Sequence, residues 1–157
     1  MAKDPALDQT PTDSMQTADW RALLSPVEFA ILRESATERP GTGRYLNEEG
    51  PGAYHCSGCG NRLYAGAHKF HSGCGRPSFF QEVEEGAVTT YVDHSHGMTR
   101  TEMGCGRCDG HLGHIFPDAP QTPTGKRHCV NGFALIFVAD GEDPQAAIAA
   151  HRTQHQG

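Results

Sequence analysis

The chain has 157 residues, 36% of them hydrophobic, which suffices for one compact core and not comfortably for two, so a single domain is expected. A net charge of −6 disfavours a nucleic-acid partner or an anionic membrane surface, both of which draw affinity from clustered Lys and Arg. No apolar run approaches the ~20 residues of a membrane-spanning helix, and the first residues lack a basic start or an apolar stretch. The expectation is a soluble, cytoplasmic monomer.

Residues 1–19 are polar, with little to bury, and read as a disordered lead. The domain is expected over residues 20–140, starting near Trp20. Ser25, Pro26 and Glu28 form a helix start, with Ser25 as N-cap, Pro26 in the first turn and Glu28 reaching back as in a capping box. That helix should stop before Pro40, in TERPGTGRY. From residue 54 to 138 short segments rich in aromatic and β-branched residues alternate with Gly, Asp, Asn and Pro, which favours an antiparallel β domain. TTYVD, MTRTEM and FALIFV are the predicted strands, and FALIFV, apolar on both faces, should be central and buried. Residues 141–157 form a tail with a short helix after Pro144.

Six cysteines in a chain without export signals point to metal ligands or redox chemistry rather than a disulfide framework. Cys56-Ser-Gly-Cys59 and Cys105-Gly-Arg-Cys108 are tight turns whose glycines let two sulfurs converge. Together they make a closed tetrahedral set of four thiolates, which suits one structural zinc and leaves no position for substrate. Iron fits the same donors, and a redox pair in one CxxC with the other incidental is the alternative.

Cys74 and Cys129 remain. Cys129 follows Lys126, Arg127 and His128, and nearby positive charge raises a thiolate fraction. Cys74 lies between Gly73 and Gly75 in an expected mobile loop. An attacking cysteine with a resolving partner is one reading, and simple burial of Cys129 at the start of a strand is the other. His111 and His114 follow the second CxxC and suit acid–base work, because the cysteines already saturate one metal. His55, His68, His94, His151 and His155 are taken as solvated or merely hydrogen-bonded.

TERPGTGRY, YHCSGCG, KFHSGCGRPSF, DHSHGMTRTEMGCGRCDGHLGHIFPDAP and TGKRHCVNG, in this order over residues 20–138, resemble the B-type methionine-R-sulfoxide reductases. The resemblance implies a mainly β fold of two antiparallel sheets with an N-terminal helix and a four-cysteine zinc site. It implies reduction of the R epimer of methionine sulfoxide in oxidised proteins, with thioredoxin as reductant. Carried onto this chain, the nucleophile falls on Cys129 and the resolving cysteine on Cys74. The substrate-site residues fall on His111, His114, Asp118, Arg127 and Asn131, with Arg127 and Asn131 supporting the thiolate and orienting the oxygen. The zinc ligands fall on Cys56, Cys59, Cys105 and Cys108.

Four positions depart from the family pattern. Arg76 stands where the family has a tryptophan, His128 where it has an aromatic beside the nucleophile, Gly132 where it has a small hydroxyl, and Gly41 where it has a phenylalanine. Arg76 and His128 are therefore counted among the substrate contacts. Two alternatives follow: a reductase for free methionine sulfoxide or another small sulfoxide, whose carboxylate would pair with Arg76, and a zinc-ribbon-like binding module without catalysis.

Overall fold

The computed structural model describes residues 17–94 and 97–156. Most of the expected lead, residues 1–16, lies outside the described residues. Thr17–Leu23 form a first helix, α1, whose Trp20 is buried, so Thr17, Ala18 and Asp19 of the expected lead are helical. Helix α2, Pro26–Glu34, begins as the sequence predicts: the Ser25 hydroxyl accepts from the Glu28 N–H at 3.3 Å while the Glu28 carboxylate accepts from the Ser25 N–H at 3.0 Å. Ser35, in the left-handed conformation, ends it.

Nine strands follow: β1 Gly52–Cys56, β2 Arg62–Ala65, β3 Lys69–Phe70, β4 Ser78–Phe79, β5 Val88–Asp93, β6 Arg100–Cys105, β7 His111–Phe116, β8 Arg127–Val130 and β9 Leu135–Ala139. They form two antiparallel sheets, a three-stranded one ordered β2-β1-β9 and a six-stranded one ordered β3-β4-β8-β7-β6-β5. The mainly β, two-sheet expectation is met, but FALIFV is not a central strand. Phe133 and Ala134 belong to a 3-10 turn, and β9 pairs only with β1. Its apolar faces are covered by the core and by helix α3, Pro144–Gln156, so burial on both faces here reflects layers and not two strand neighbours.

Aromatic rings join the sheets. Tyr64 of β2 stacks on Phe79 of β4 at 4.3 Å, Tyr54 of β1 meets the same ring edge-on at 5.1 Å, and all three are fully buried. The Tyr64 hydroxyl reaches His128 Nδ1 at 2.9 Å and Met103 Sδ at 3.2 Å, so its one polar atom stays satisfied.

Helix α3 is fastened by charge. Glu28, only 2% exposed, accepts from Arg44 Nη2 at 2.9 Å and from His151 Nε2 at 2.7 Å, and Arg44 also donates to the carbonyls of Phe133 and Leu135. Burial alone raises the Glu28 pKa, but the hydrogen bonds from His151, the Ser25 backbone and Arg44 outweigh it and hold the carboxyl at about 2. A folded value below the unfolded 4.5 means that this stabilisation is complete above that pH and is lost as pH falls towards 2. Glu28→Gln should cost about 3 kcal/mol in urea unfolding at neutral pH, because it leaves buried cations uncompensated. The gap to wild type should narrow as the pH is lowered through that window; a gap that stays constant would mean the carboxylate charge contributes nothing.

Candidate active site and metal centre

Each CxxC closes a hairpin, the first joining β1 to β2 and the second β6 to β7. The two turns repeat one pattern. Cys56 N–H donates to Asn61 O and Gly60 N–H to Cys56 O; Cys105 N–H donates to Gly110 O and Asp109 N–H to Cys105 O. The fourth residue after the leading cysteine must turn left-handed, which Gly60 does at φ 82° and Asp109 at φ 61°. Because one hairpin belongs to each sheet, the cluster ties the two sheets together.

All four sulfurs are buried and lie within 4.8 Å of one another. Cys56 and Cys108 are 3.8 Å apart and Cys59 and Cys105 3.5 Å. A tetrahedral ion with metal–sulfur bonds of about 2.3 Å sets its sulfurs about 3.8 Å apart, so the donors fit such an ion. Backbone N–H groups of Gly58, Asn61 and Arg107 point at Cys56, Cys59 and Cys105 from 3.4 Å, as suits thiolates. Arg152 of α3 donates to Gly58 O and Arg33 of α2 to Cys108 O, so each turn is also held by a helix.

The other two cysteines meet at a second place. Cys129 on β8 pairs with Ser78 on β4 and His114 on β7, and its sulfur lies 3.2 Å from that of Cys74. Side-chain rotation alone can bring two sulfurs at this separation to the ~2.05 Å of a disulfide. The Cys74 loop is held rather than loose. Ser72 and Ser78 hydroxyls bond each other at 2.7 Å, Cys74 N–H donates to Ser72 Oγ, and Ser78 Oγ lies 3.4 Å from Cys74 Sγ.

The hydrogen bond from Cys129 is the main cause that pushes the Cys74 thiol down to about 4, with the Ser72 and Ser78 hydroxyls adding to it against the opposing effect of burial. The same bond and burial push Cys129 up. The contact therefore favours the anion on Cys74 and the proton on Cys129. Of the three expected cations, Arg127 does interact by charge with the Cys129 and Cys74 sulfurs. Lys126 is exposed, and Arg127 is engaged bidentately by Asp118 at 3.0 and 2.9 Å and lies over the Phe116 ring. His128 points to the opposite face of β8, because side chains alternate along a strand. There it is 3% exposed, bonded to Tyr64, and kept neutral by burial, with its pKa lowered to about 4. His128 does not line the cavity beside Cys129.

Beside Cys129 lies an open cavity of about 220 Å³, lined also by Thr37, Arg76, Arg100, His114, Phe116 and Asn131. A three-residue spacing would place His111 and His114 on opposite faces of a regular strand. Here Gly104 pairs with His111 while Met103 pairs with Gly113, so Leu112 is extra and the bulge brings the two imidazoles together, centroids 5.7 Å apart. At Gly113 a Cβ would overlap the Cys129 carbonyl oxygen, so only glycine lets β7 approach β8 so closely. His114 lines the cavity and its Nε2 meets Asp93 at 2.9 Å. His111 sits behind, buried, bonded to Glu102 at 2.8 Å, and burial lowers its pKa.

Asn131 does reach the cavity, but its amide is already engaged: Oδ1 accepts from Glu38 N–H at 3.0 Å and Nδ2 donates to Leu112 O at 3.0 Å. Asp118 and Arg127 sit at the rim behind Phe116. Arg76 lies in the wall, with Nε and Nη2 on the Glu38 carbonyl at 3.1 and 2.8 Å. Sequence reasoning missed Asp93, Arg100, Glu38 and Ser78. Arg100 faces Asp93 across the β5–β6 ladder and pairs with it at 3.1 Å, a charge complement at facing strand ends that the DHSHGMTR motif carried.

The site thus brings two thiols into contact at a cavity with an imidazole in its wall, on a β scaffold joined by a separate buried four-cysteine cluster whose donors could hold a metal ion. The chain belongs to the SelR domain family, whose profile matches residues 24–139. A peptide methionine sulfoxide reductase MsrB of Agrobacterium fabrum is 49% identical over 128 residues, covering 82% of this chain and 94% of the relative. The protein of the same name from Bradyrhizobium diazoefficiens is 54% identical over 116 residues, covering 74% and 83%, and that from Synechococcus sp. 49% over 133 residues, covering 83% and 97%.

Cys56→Ser should lose both the bound metal and cooperative unfolding, since a structural metal in a small module contributes ~10 to 16 kcal/mol of apparent binding energy. Metal content and thermal unfolding read this directly, and a folded variant that melts like wild type would contradict it.

Proposed function

We propose that this protein reduces the R epimer of methionine sulfoxide in peptides and oxidised proteins, with Cys129 as nucleophile and Cys74 as resolving thiol. The observation that carries the proposal is the 3.2 Å contact of the two sulfurs at a cavity which Cys129, and not Cys74, lines. The relatives named for peptide methionine sulfoxide reduction support the substrate.

Attack draws the charge onto Cys129 as its proton passes to Cys74. The Cys129 sulfur bonds to the sulfoxide sulfur while His114, facing the cavity, gives a proton to the oxygen. The oxygen then passes from the methionine sulfur to the Cys129 sulfur, the bonds from the methionine sulfur to oxygen and to Cys129 break, and methionine leaves with Cys129 as a sulfenic acid. Cys74 then attacks that sulfur, the S–S bond forms, the S–O bond breaks and water departs with a proton. Methionine sulfur gains the two electrons that the thiols lose. A dithiol protein such as thioredoxin restores the pair by exchange. His111 and Glu102 back His114, and Asn131 holds the wall through backbone contacts more than it orients the oxygen.

The four-cysteine knot holds zinc in this account, because a redox-inert ion keeps four thiolates out of the exchange chemistry next to them. Its place is structural, and no step passes through it. The protein works as a monomer in the cytoplasm, a compartment that keeps thiols reduced.

Peptides carrying each epimer test the proposal. With thioredoxin recycling, the R form should turn over and the S form should not. Cys129→Ser should abolish turnover, whereas Cys74→Ser should release one methionine per chain and then stall. Turnover surviving in Cys129→Ser would overturn the assignment.

A further inference from the structure

We propose that Arg76 is the cation that draws the charge onto Cys129, and that Glu38 and Asn131 exist in the site to hold its guanidinium there. The inference rests on Cys129 being the attacking thiol and adds the group that makes it so.

The groups facing Cys129 can be taken element by element. From its own strand, Arg127 is on the same side and acts on the sulfurs by charge, but both of its carboxylate-facing nitrogens are bonded to Asp118. From β7, His114 is turned to Asp93, and from β6 Arg100 is paired with that same carboxylate. From the loop before β4 come Cys74 and Arg76, and from the segment after α2 comes Glu38. Of these cations, Arg76 differs: among the described residues it forms no ion pair, only hydrogen bonds to a neutral carbonyl. It lines the same cavity as Cys129, close enough for hydrogen-bonding and charge interaction with that sulfur, both of which favour the thiolate.

The guanidinium is fixed by a frame built for little else. Two of its nitrogens donate to the Glu38 carbonyl, Glu38 N–H donates to Asn131 Oδ1, and the Glu38 carboxylate accepts from Phe133 N–H at 3.0 Å. Residue 38 is thus pinned to the segment that follows Cys129 by two hydrogen bonds, and Arg76 hangs from it. Glu38 is 6% exposed, and burial raises its pKa against the lowering effect of its backbone donors and of Arg76, which weakens its claim on the Arg76 charge. The anion left for Arg76 is the sulfur pair. Two thiols in contact need such an asymmetric cation, because the Ser72 and Ser78 hydroxyls favour charge on the resolving sulfur. Arg76 is a positioning and charge-placing residue in this scheme.

The test isolates Cys129 by working in a Cys74→Ser background, metal-loaded and full-length, so that one thiol titrates at the site. The rate of alkylation of Cys129 against pH, read by mass spectrometry of its peptide, gives its pKa. Arg76→Gln should slow alkylation at neutral pH by about tenfold, the effect of one pKa unit, and Arg76→Lys should restore part of the loss. The acid limb of kcat/KM in the otherwise wild-type enzyme should move up with it. Alkylation profiles that coincide for Arg, Gln and Lys overturn the proposal, as does a loss confined to KM for substrates carrying a free carboxylate, which would make Arg76 a substrate contact. Should Arg76→Gln fail to fold, thiolate ultraviolet absorbance of the Cys74→Ser protein decides alone: a Cys129 pKa at or above that of a free thiol contradicts the inference. Alkylation needs no sulfoxide, so this result stands apart from whether the substrate is assigned correctly.

Discussion

Two backbone ladders on either side of β8 decide where the chemistry falls. One sets Cys129 opposite Ser78 of β4, and that strand carries in the loop before it the second cysteine and the hydroxyls that orient it. The other sets Cys129 opposite His114 of β7, where the bulge at Leu112 and the close approach at Gly113 bring a second imidazole behind the first. A one-residue slip of β8 would send Cys129 into the core and turn His128 outward, because side chains alternate. The aromatic layer guards against that slip. His128 is fixed on Tyr64, and Tyr64 on Phe79.

The four-cysteine knot serves the same register from a distance. It sits at the turns of the β1–β2 and β6–β7 hairpins, one from each sheet, and so fixes how the small sheet lies on the large one. Helices α2 and α3 reach these turns through Arg33 and Arg152, and the buried Glu28 clamps the C-terminal helix back through His151 and Arg44. The six cysteines thus divide by environment. Four have a closed shell of sulfur and backbone N–H donors, and two meet at a cavity.

Much of this was legible in the sequence wherever function is carried by short-range spacing. The CxxC turns, the Ser25–Glu28 capping box, the strands around TTYVD and MTRTEM, and the separation of Cys74 and Cys129 from the metal set all follow from local rules. What the sequence concealed depends on pairing. The charge of Arg127 looked wholly available until Asp118 was found against it, and His128 looked like a neighbour of the site until alternation turned it inward. FALIFV read as central because apolarity reports burial and not the number of strand partners. Glu38, Asp93 and Arg100 lie inside quoted motifs, but nothing in those motifs marks them as facing Cys129; only the fold brings them there. The relation of Arg76 to the nucleophile belongs to the same class, for residues 76 and 129 meet only through the β4–β8 ladder.

The central claim is that one sulfoxide consumes one specific pair of thiols. Reduced, metal-loaded protein mixed with one equivalent of a peptide bearing the R-sulfoxide, quenched in acid and mapped by mass spectrometry, tests it most directly. The account predicts one methionine formed per chain and a single disulfide joining Cys74 to Cys129, with Cys56, Cys59, Cys105 and Cys108 still reduced. Methionine formed without that disulfide, or a disulfide drawn from the metal-binding cysteines, would contradict it.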